Sequence, residues 1–119
     1  MKKKILLVTG DTLEATANYH AVVAEFENLD LVRTTKISEG QAWVSDSEAP
    51  CLVIVDMELG HDAVGFIAWI WQGMGLEVPV ITLCRKGGLH PPASLNVTVM
   101  DKLHTVRDMR ETIARLLNL

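Results

Sequence analysis

Cysteine, proline and aromatic side chains are scarce in this chain of 119 residues, which has two cysteines, four prolines, three tryptophans, two phenylalanines and one tyrosine. Cys51 and Cys84 are too few for a disulfide scaffold, and with no signal-like start they point to a reducing cytoplasm. Long apolar runs are also absent: charge or glycine interrupts each one well short of the roughly 18 residues that a membrane helix needs, so no membrane span is expected. Basic residues are outnumbered, eleven Lys and Arg against fifteen Asp and Glu, for a net charge of -4. That is the wrong balance for a chain dominated by phosphate-backbone contacts, so nucleic acid is not an expected partner. The basic cluster Lys2 to Lys4 reads as a solvated end.

What is present is a globular composition, 49% hydrophobic and 22% charged, which argues against disorder. The length lies below the roughly 150 residues per domain used as a prior, so residues 1–119 read as one domain. Ile5 to Val8 is a short apolar run closed by Thr9-Gly10-Asp11, a strand buried on both faces. From Thr12 the period changes, and Tyr19, Val22, Val23 and Phe26 form the apolar stripe of a helix. Leu31 to Thr35 reads as a strand, and Ser38-Glu39-Gly40-Gln41 has the spacing of a capping box opening a helix from Gln41 to about Ser47. Cys51 to Val55 is the strongest buried-strand signal and stops at Asp56. Asp62 to Met74 follows as a helix, and Val78 to Leu83 as a strand. Gly87, Gly88, Pro91 and Pro92 disfavour a helix in 85–94. Val97 to Met100 gives a last strand, and Val106, Met109, Ile113, Leu116 and Leu117 mark the core face of a final helix. This alternation predicts an α/β fold with a doubly wound, five-stranded parallel sheet.

Ligands of such sheets bind outside the carboxyl ends of the strands, where strand order reverses. Thr9, Gly10, Asp11, Asp56, Cys84, Asp101 and Lys102 fall at those ends. Asp56 in Val-Ile-Val-Asp-Met-Glu-Leu, Lys102 after the last strand, and an acid just past the first strand resemble the receiver domain of two-component response regulators, CheY-like proteins. Gly65-Phe66 and Val78-Pro79-Val80-Ile81 strengthen the likeness, which spans essentially the whole chain. It implies a flavodoxin-like three-layer sandwich and a role as a signalling module rather than an independent enzyme. It also implies Asp56 as phosphoacceptor, Lys102 as the pairing cation, Mg²⁺ held by Asp11 and Asp56, and a histidine kinase or other signalling protein as partner.

The sequence departs from that pattern at several points. Thr9 and Gly10 stand where the family usually has two adjacent acids, leaving Asp11 as a lone carboxylate one residue later, so Mg²⁺ binding and Asp56 phosphorylation are expected to be weakened. Cys84 occupies the switch position of a small hydroxyl residue, and a thiol is a weak donor. Lys102 is followed by Leu103 rather than proline, which predicts a trans peptide and a shifted lysine. Val99 stands at a common aromatic position, and the helix between the fourth and fifth strands, part of the family's output surface, is expected to be short or missing.

Ala63 to Trp71 is so apolar that a buried helix or a docked one is expected. Trp69 and Trp71 lie about 200° apart on a 3.6-residue repeat, so one of them is a candidate anchor for a homodimer or partner interface. A different class of function comes from Thr9-Gly10-Asp11-Thr12, which resembles part of the FMN phosphate loop of flavodoxins, although Asp11 would repel the phosphate. His20, His61, His90 and His104 show no metal-ligand spacing, with His61 and His104 in loops near the strand ends.

Overall fold

The structure is a computed structural model that describes residues 2–46 and 48–119. Its five strands are β1 (Lys3–Val8), β2 (Leu29–Thr34), β3 (Leu52–Asp56), β4 (Val80–Cys84) and β5 (Thr98–Asp101). They form one parallel sheet in the order β2-β1-β3-β4-β5. The helices are α1 (Ala17–Ala24), α2 (Ile37–Asp46), α3 (His61–Ala68) and α4 (Val106–Leu117). The doubly wound α/β expectation holds, and no helix joins β4 to β5 among the described residues.

Alternation along β1 explains the three layers, because successive side chains leave opposite faces of a strand. Ile5 and Leu7 pack with Tyr19, Val22 and Val23 of α1 and Met109 and Ile113 of α4. Leu6 and Val8 pack with Val44 of α2 and with Ala63, Phe66 and Ile67 of α3. β3 and β4 are buried along their full length, as their unbroken apolar runs require of strands covered on both faces. Gly40 lets α2 approach closely: a Cβ there would stand 3.2 Å from both Phe66 Cζ and Val8 Cγ2.

Several boundaries differ from the sequence reading. Thr12 to Thr16 forms turns, and α1 begins only at Ala17. β2 begins at Leu29 rather than Leu31, because Lys3 to Val8 pairs with Leu29 to Thr34 residue by residue. α2 begins at Ile37, so Ser38 is not its cap. Glu39 instead reaches back to accept from the Thr35 backbone N–H at 2.9 Å and its hydroxyl at 2.7 Å, satisfying a donor at the helix start. The expected end of this helix at Ser47 lies outside the described residues.

The helix expected over 62–74 divides after Ala68, where Trp69–Gly73 continues as a π-helix and the Met74 N–H donates to the Trp69 carbonyl at 2.9 Å. The 3.6-residue repeat that put the two tryptophans on opposite faces therefore stops before they begin. Trp69 and Trp71 are both half-buried against the same core. Trp69 stacks on Phe66 with centroids 6.0 Å apart, and the Trp71 indole N–H donates to the Val78 carbonyl at 2.9 Å.

Between β4 and β5 the chain turns at Arg85–Gly88. The Gly88 N–H donates to the Arg85 carbonyl at 2.9 Å, and Gly87 supplies the positive φ of 79° that a type II turn needs at its third residue. Leu89, Leu95 and Val97 then cover the α2/α3 side of the core. In α4 the Thr105 hydroxyl accepts from the Asp108 N–H at 3.0 Å as N-cap, and Asn118 adopts the left-handed conformation that ends the helix. Val106, expected on the core face, is exposed, because the buried stripe begins with Met109 one turn later. No helix among the described residues is long and apolar enough to cross a membrane.

Candidate functional site at the carboxyl ends of the strands

The sheet register carries the chemistry-bearing residues to one place. Val8 pairs with Val55, so Thr9 emerges beside Asp56. Cys84 pairs with Asp101, and the next residue, Lys102, is anchored by its N–H donating to the Cys84 carbonyl at 2.9 Å. The Lys102 Nζ lies 2.8 Å from Asp56 Oδ2 and 3.1 Å from Asp11 Oδ1, and also pairs with Glu58 Oε2. No cis peptide occurs among the described residues, and the long Lys102 side chain, only 6% exposed, reaches Asp56 from the trans backbone.

Asp56 is buried, 1% exposed, and a buried carboxylate is costly unless paired and hydrogen-bonded. Three groups meet that demand. The Thr9 hydroxyl donates to Oδ2 at 2.7 Å, Lys102 pairs with the same oxygen, and the Glu58 N–H donates to Oδ1 at 3.0 Å. The last bond makes Asp56 the cap of a single 3₁₀ turn, Met57–Leu59, which folds Glu58 back toward the strand ends. Thr9 also accepts from the Asp11 N–H at 3.2 Å, while Arg33 donates to the Asp11 carbonyl, so the β1 loop is held from both sides.

Charges shift accordingly. Burial disfavours the Lys102 ammonium, but hydrogen bonds to Asp56, Glu58 and Asp11 outweigh it and hold the group above the ordinary lysine value. The Lys102 hydrogen bond, with help from Arg85, holds Glu58 below the usual carboxylate range. Tyr19 packs edge-on to His104 with centroids 5.3 Å apart. Its phenol is pushed well up by burial and then by the negative charges of Asp56 and Asp11.

Oxygens of Asp11, Asp56 and Glu58 lie within 4.8 Å of one another. An octahedral Mg²⁺ holds neighbouring ligands about 3 Å and opposite ones about 4.2 Å apart, so this all-oxygen set suits a hard divalent cation in ligand type and has to close in to hold one. Lys102 touches the same three carboxylates.

The structure thus brings Asp11, Asp56 and Lys102 together. It does not bring in Cys84, which is buried with its Sγ 3.9 Å from the Thr82 hydroxyl and its thiol pushed up mainly by burial. His61 is exposed at the start of α3. The FMN alternative loses its cradle, because the Thr9 hydroxyl is committed to Asp56 and Asp11 belongs to a cluster of carboxylates that would repel phosphate. Glu58, Arg85 and the donor role of Thr9 were missed at the sequence level. The only signal for Glu58 was its place two residues past Asp56.

No protein-family model matches the chain, and no curated protein matches it in sequence. Solved structures do, and they define the class: the chain has the fold of response-regulator receiver domains. It is similar to a signal receiver domain of a two-component histidine kinase from Clostridium thermocellum, with TM-score 0.81 and 13% identity over 100% of both chains. It is also similar to the signal receiver domain of a LuxO repressor protein from Vibrio parahaemolyticus, with TM-score 0.78, 20% identity, and coverage of 99% of this chain and 92% of that one. NtrX from Brucella abortus, solved with ATP, matches at TM-score 0.77 and 19% identity over 99% of this chain but only 27% of its own.

Proposed function

We propose that this chain is a regulatory receiver module of two-component signalling in the cytoplasm, acting through protein–protein contact, with Asp56 as a slow phosphoacceptor. The observation that supports it is the single ammonium of Lys102 in contact with the carboxylates of Asp11, Asp56 and Glu58. Phosphoryl transfer depends mainly on positioning and charge neutralisation, and these residues supply both. An Asp56 oxygen forms a bond to phosphorus as the bond from phosphorus to the donor's oxygen or nitrogen breaks, and the leaving group keeps that electron pair. Lys102 then pairs with the phosphoryl oxygens. A divalent cation held by Asp11, Asp56 and Glu58 would supply the remaining neutralisation. The donor is a phosphohistidine of a kinase or a small acyl phosphate.

Transfer is slow because Thr9 offers a hydroxyl where the family has a carboxylate, and because Lys102 and Arg85 already neutralise the carboxylates present. By analogy with losing one preorganised electrostatic group, the rate falls on the order of 100- to 1000-fold. Acetyl phosphate with Mg²⁺ should add one phosphoryl group slowly to the wild type and none to Asp56→Asn, read by intact mass and peptide mapping. Fast modification would restore the ordinary phosphoacceptor reading. An unchanged mass would leave only the interaction role.

A further inference from the structure

Two cations rest on one carboxylate at the mouth of this site: Arg85 pairs with Glu58 Oε1 and Lys102 with Oε2. The Arg85 and Glu58 side chains are 51% and 42% exposed, and an ion pair this open to water is weak and readily exchanged. Arg85 directly follows Cys84, which stands at the expected hydroxyl position but is turned into the core. The end of β4 therefore offers no hydroxyl to a group on Asp56, and its one forked donor is the Arg85 guanidinium. Glu58 is tied to Asp56 by its own N–H, 3.0 Å from Oδ1, so a group added to Asp56 forms next to the present partner of Arg85.

A phosphoryl group carries a charge of about -1.5 to -2 and three strong acceptor oxygens. A planar guanidinium pairs bidentately with it, in a geometry a single carboxylate oxygen does not offer. We propose that Arg85 leaves Glu58 for the phosphoryl oxygens when Asp56 is phosphorylated, replacing the missing strand-end hydroxyl as the switch. This rests on the phosphoacceptor reading above. Arg85 then touches the phosphoryl group itself. Arg85 is the first residue of the Arg85–Gly88 turn, which leads into the segment carrying Leu89, Leu95 and Val97 over the core.

The test is Arg85→Ala in the full chain, read in two ways that move in opposite directions. Affinity for beryllofluoride with Mg²⁺, and the lifetime of phospho-Asp56, should fall roughly tenfold with the loss of one charge-assisted hydrogen bond. Affinity of the unmodified protein for Mg²⁺ alone, measured by calorimetry, should rise about threefold as Glu58 loses a competing cation. Arg85→Lys, which keeps the charge without the fork, should recover the Mg²⁺ affinity of the wild type and only part of the phosphoryl lifetime. Unchanged beryllofluoride affinity and lifetime in Arg85→Ala overturn the exchange while leaving Asp56 a phosphoacceptor. A fall in both affinities marks a merely structural arginine and overturns it too. A wild type that takes neither beryllofluoride nor a phosphoryl group overturns the phosphoacceptor reading, and this one with it.

Discussion

The two sides of the sheet's carboxyl edge are built by different rules. Around Asp56 the polar groups are packed and mutually satisfied by Thr9 after β1, the Glu58 N–H after β3, and the Lys102 side chain reaching over from the end of β5. At β4 and β5 the connecting segment is turns and loop, and the apolar side chains of Val99 and Leu103 stand 52% and 80% exposed. A buried carboxylate constrains its neighbours because an unpaired charge costs several kcal/mol, whereas exposed loop residues cost little to change. A charge-paired, buried cluster therefore stands beside an open segment of turns and loop at the same edge of the sheet.

The largest effect should come from Lys102→Met, which leaves Asp56 buried without its cation. Stability should fall by about 3–5 kcal/mol in urea unfolding, and Asp56→Asn in the same background should restore most of it. A loss below about 1 kcal/mol would erase the distinction between the two sides. Thr9→Val removes the hydroxyl from Asp56 and the acceptor from the Asp11 N–H, for an expected loss of about 1–3 kcal/mol.

The contrast was only partly legible in the sequence. The unbroken run ending at Asp56, the lysine after the last strand and the glycines and prolines of 85–94 are local patterns, and each survives in the fold. Glu58 was hidden because a 3₁₀ turn, not strand periodicity, sets its direction. The bond from Thr9 to Asp56 depends on the β1–β3 register across 47 residues. The π-helix at Trp69 and the hydrogen bond from Trp71 to the β4 lead-in are features that no helical repeat encodes.

Alkaline pH sharpens the comparison from the packed side. Tyr19 and Lys102 both hold their protons above their ordinary values in the fold. Their stabilisation is complete below about pH 10 and is lost as pH rises beyond it, because the unfolded chain releases those protons first. Tyr19 is the only tyrosine, so tyrosinate absorbance should appear only with unfolding. Tyr19→Phe should remove up to about 1.4 kcal/mol per pH unit from the alkaline slope. A tyrosinate signal near pH 10 in the folded protein would contradict the burial and the nearby charges.

On the open side the effects should be smaller. Gly87→Ala forces a side chain onto a φ of 79° in otherwise free space, at a cost of about 1 kcal/mol by thermal melt. Leu103→Ser should leave stability within about 0.5 kcal/mol. A larger loss would mean that the open side is packed more tightly than its exposure indicates.

The most direct measurement is the rate at which acetyl phosphate and Mg²⁺ modify Asp56 in the wild type and in Thr9→Asp, which places a carboxylate beside Asp11. Slow modification of the wild type, with a gain on the order of 100-fold in the variant, is expected if the missing acid limits the site. Equal rates in the two proteins, or modification that persists in Asp56→Asn, would contradict it.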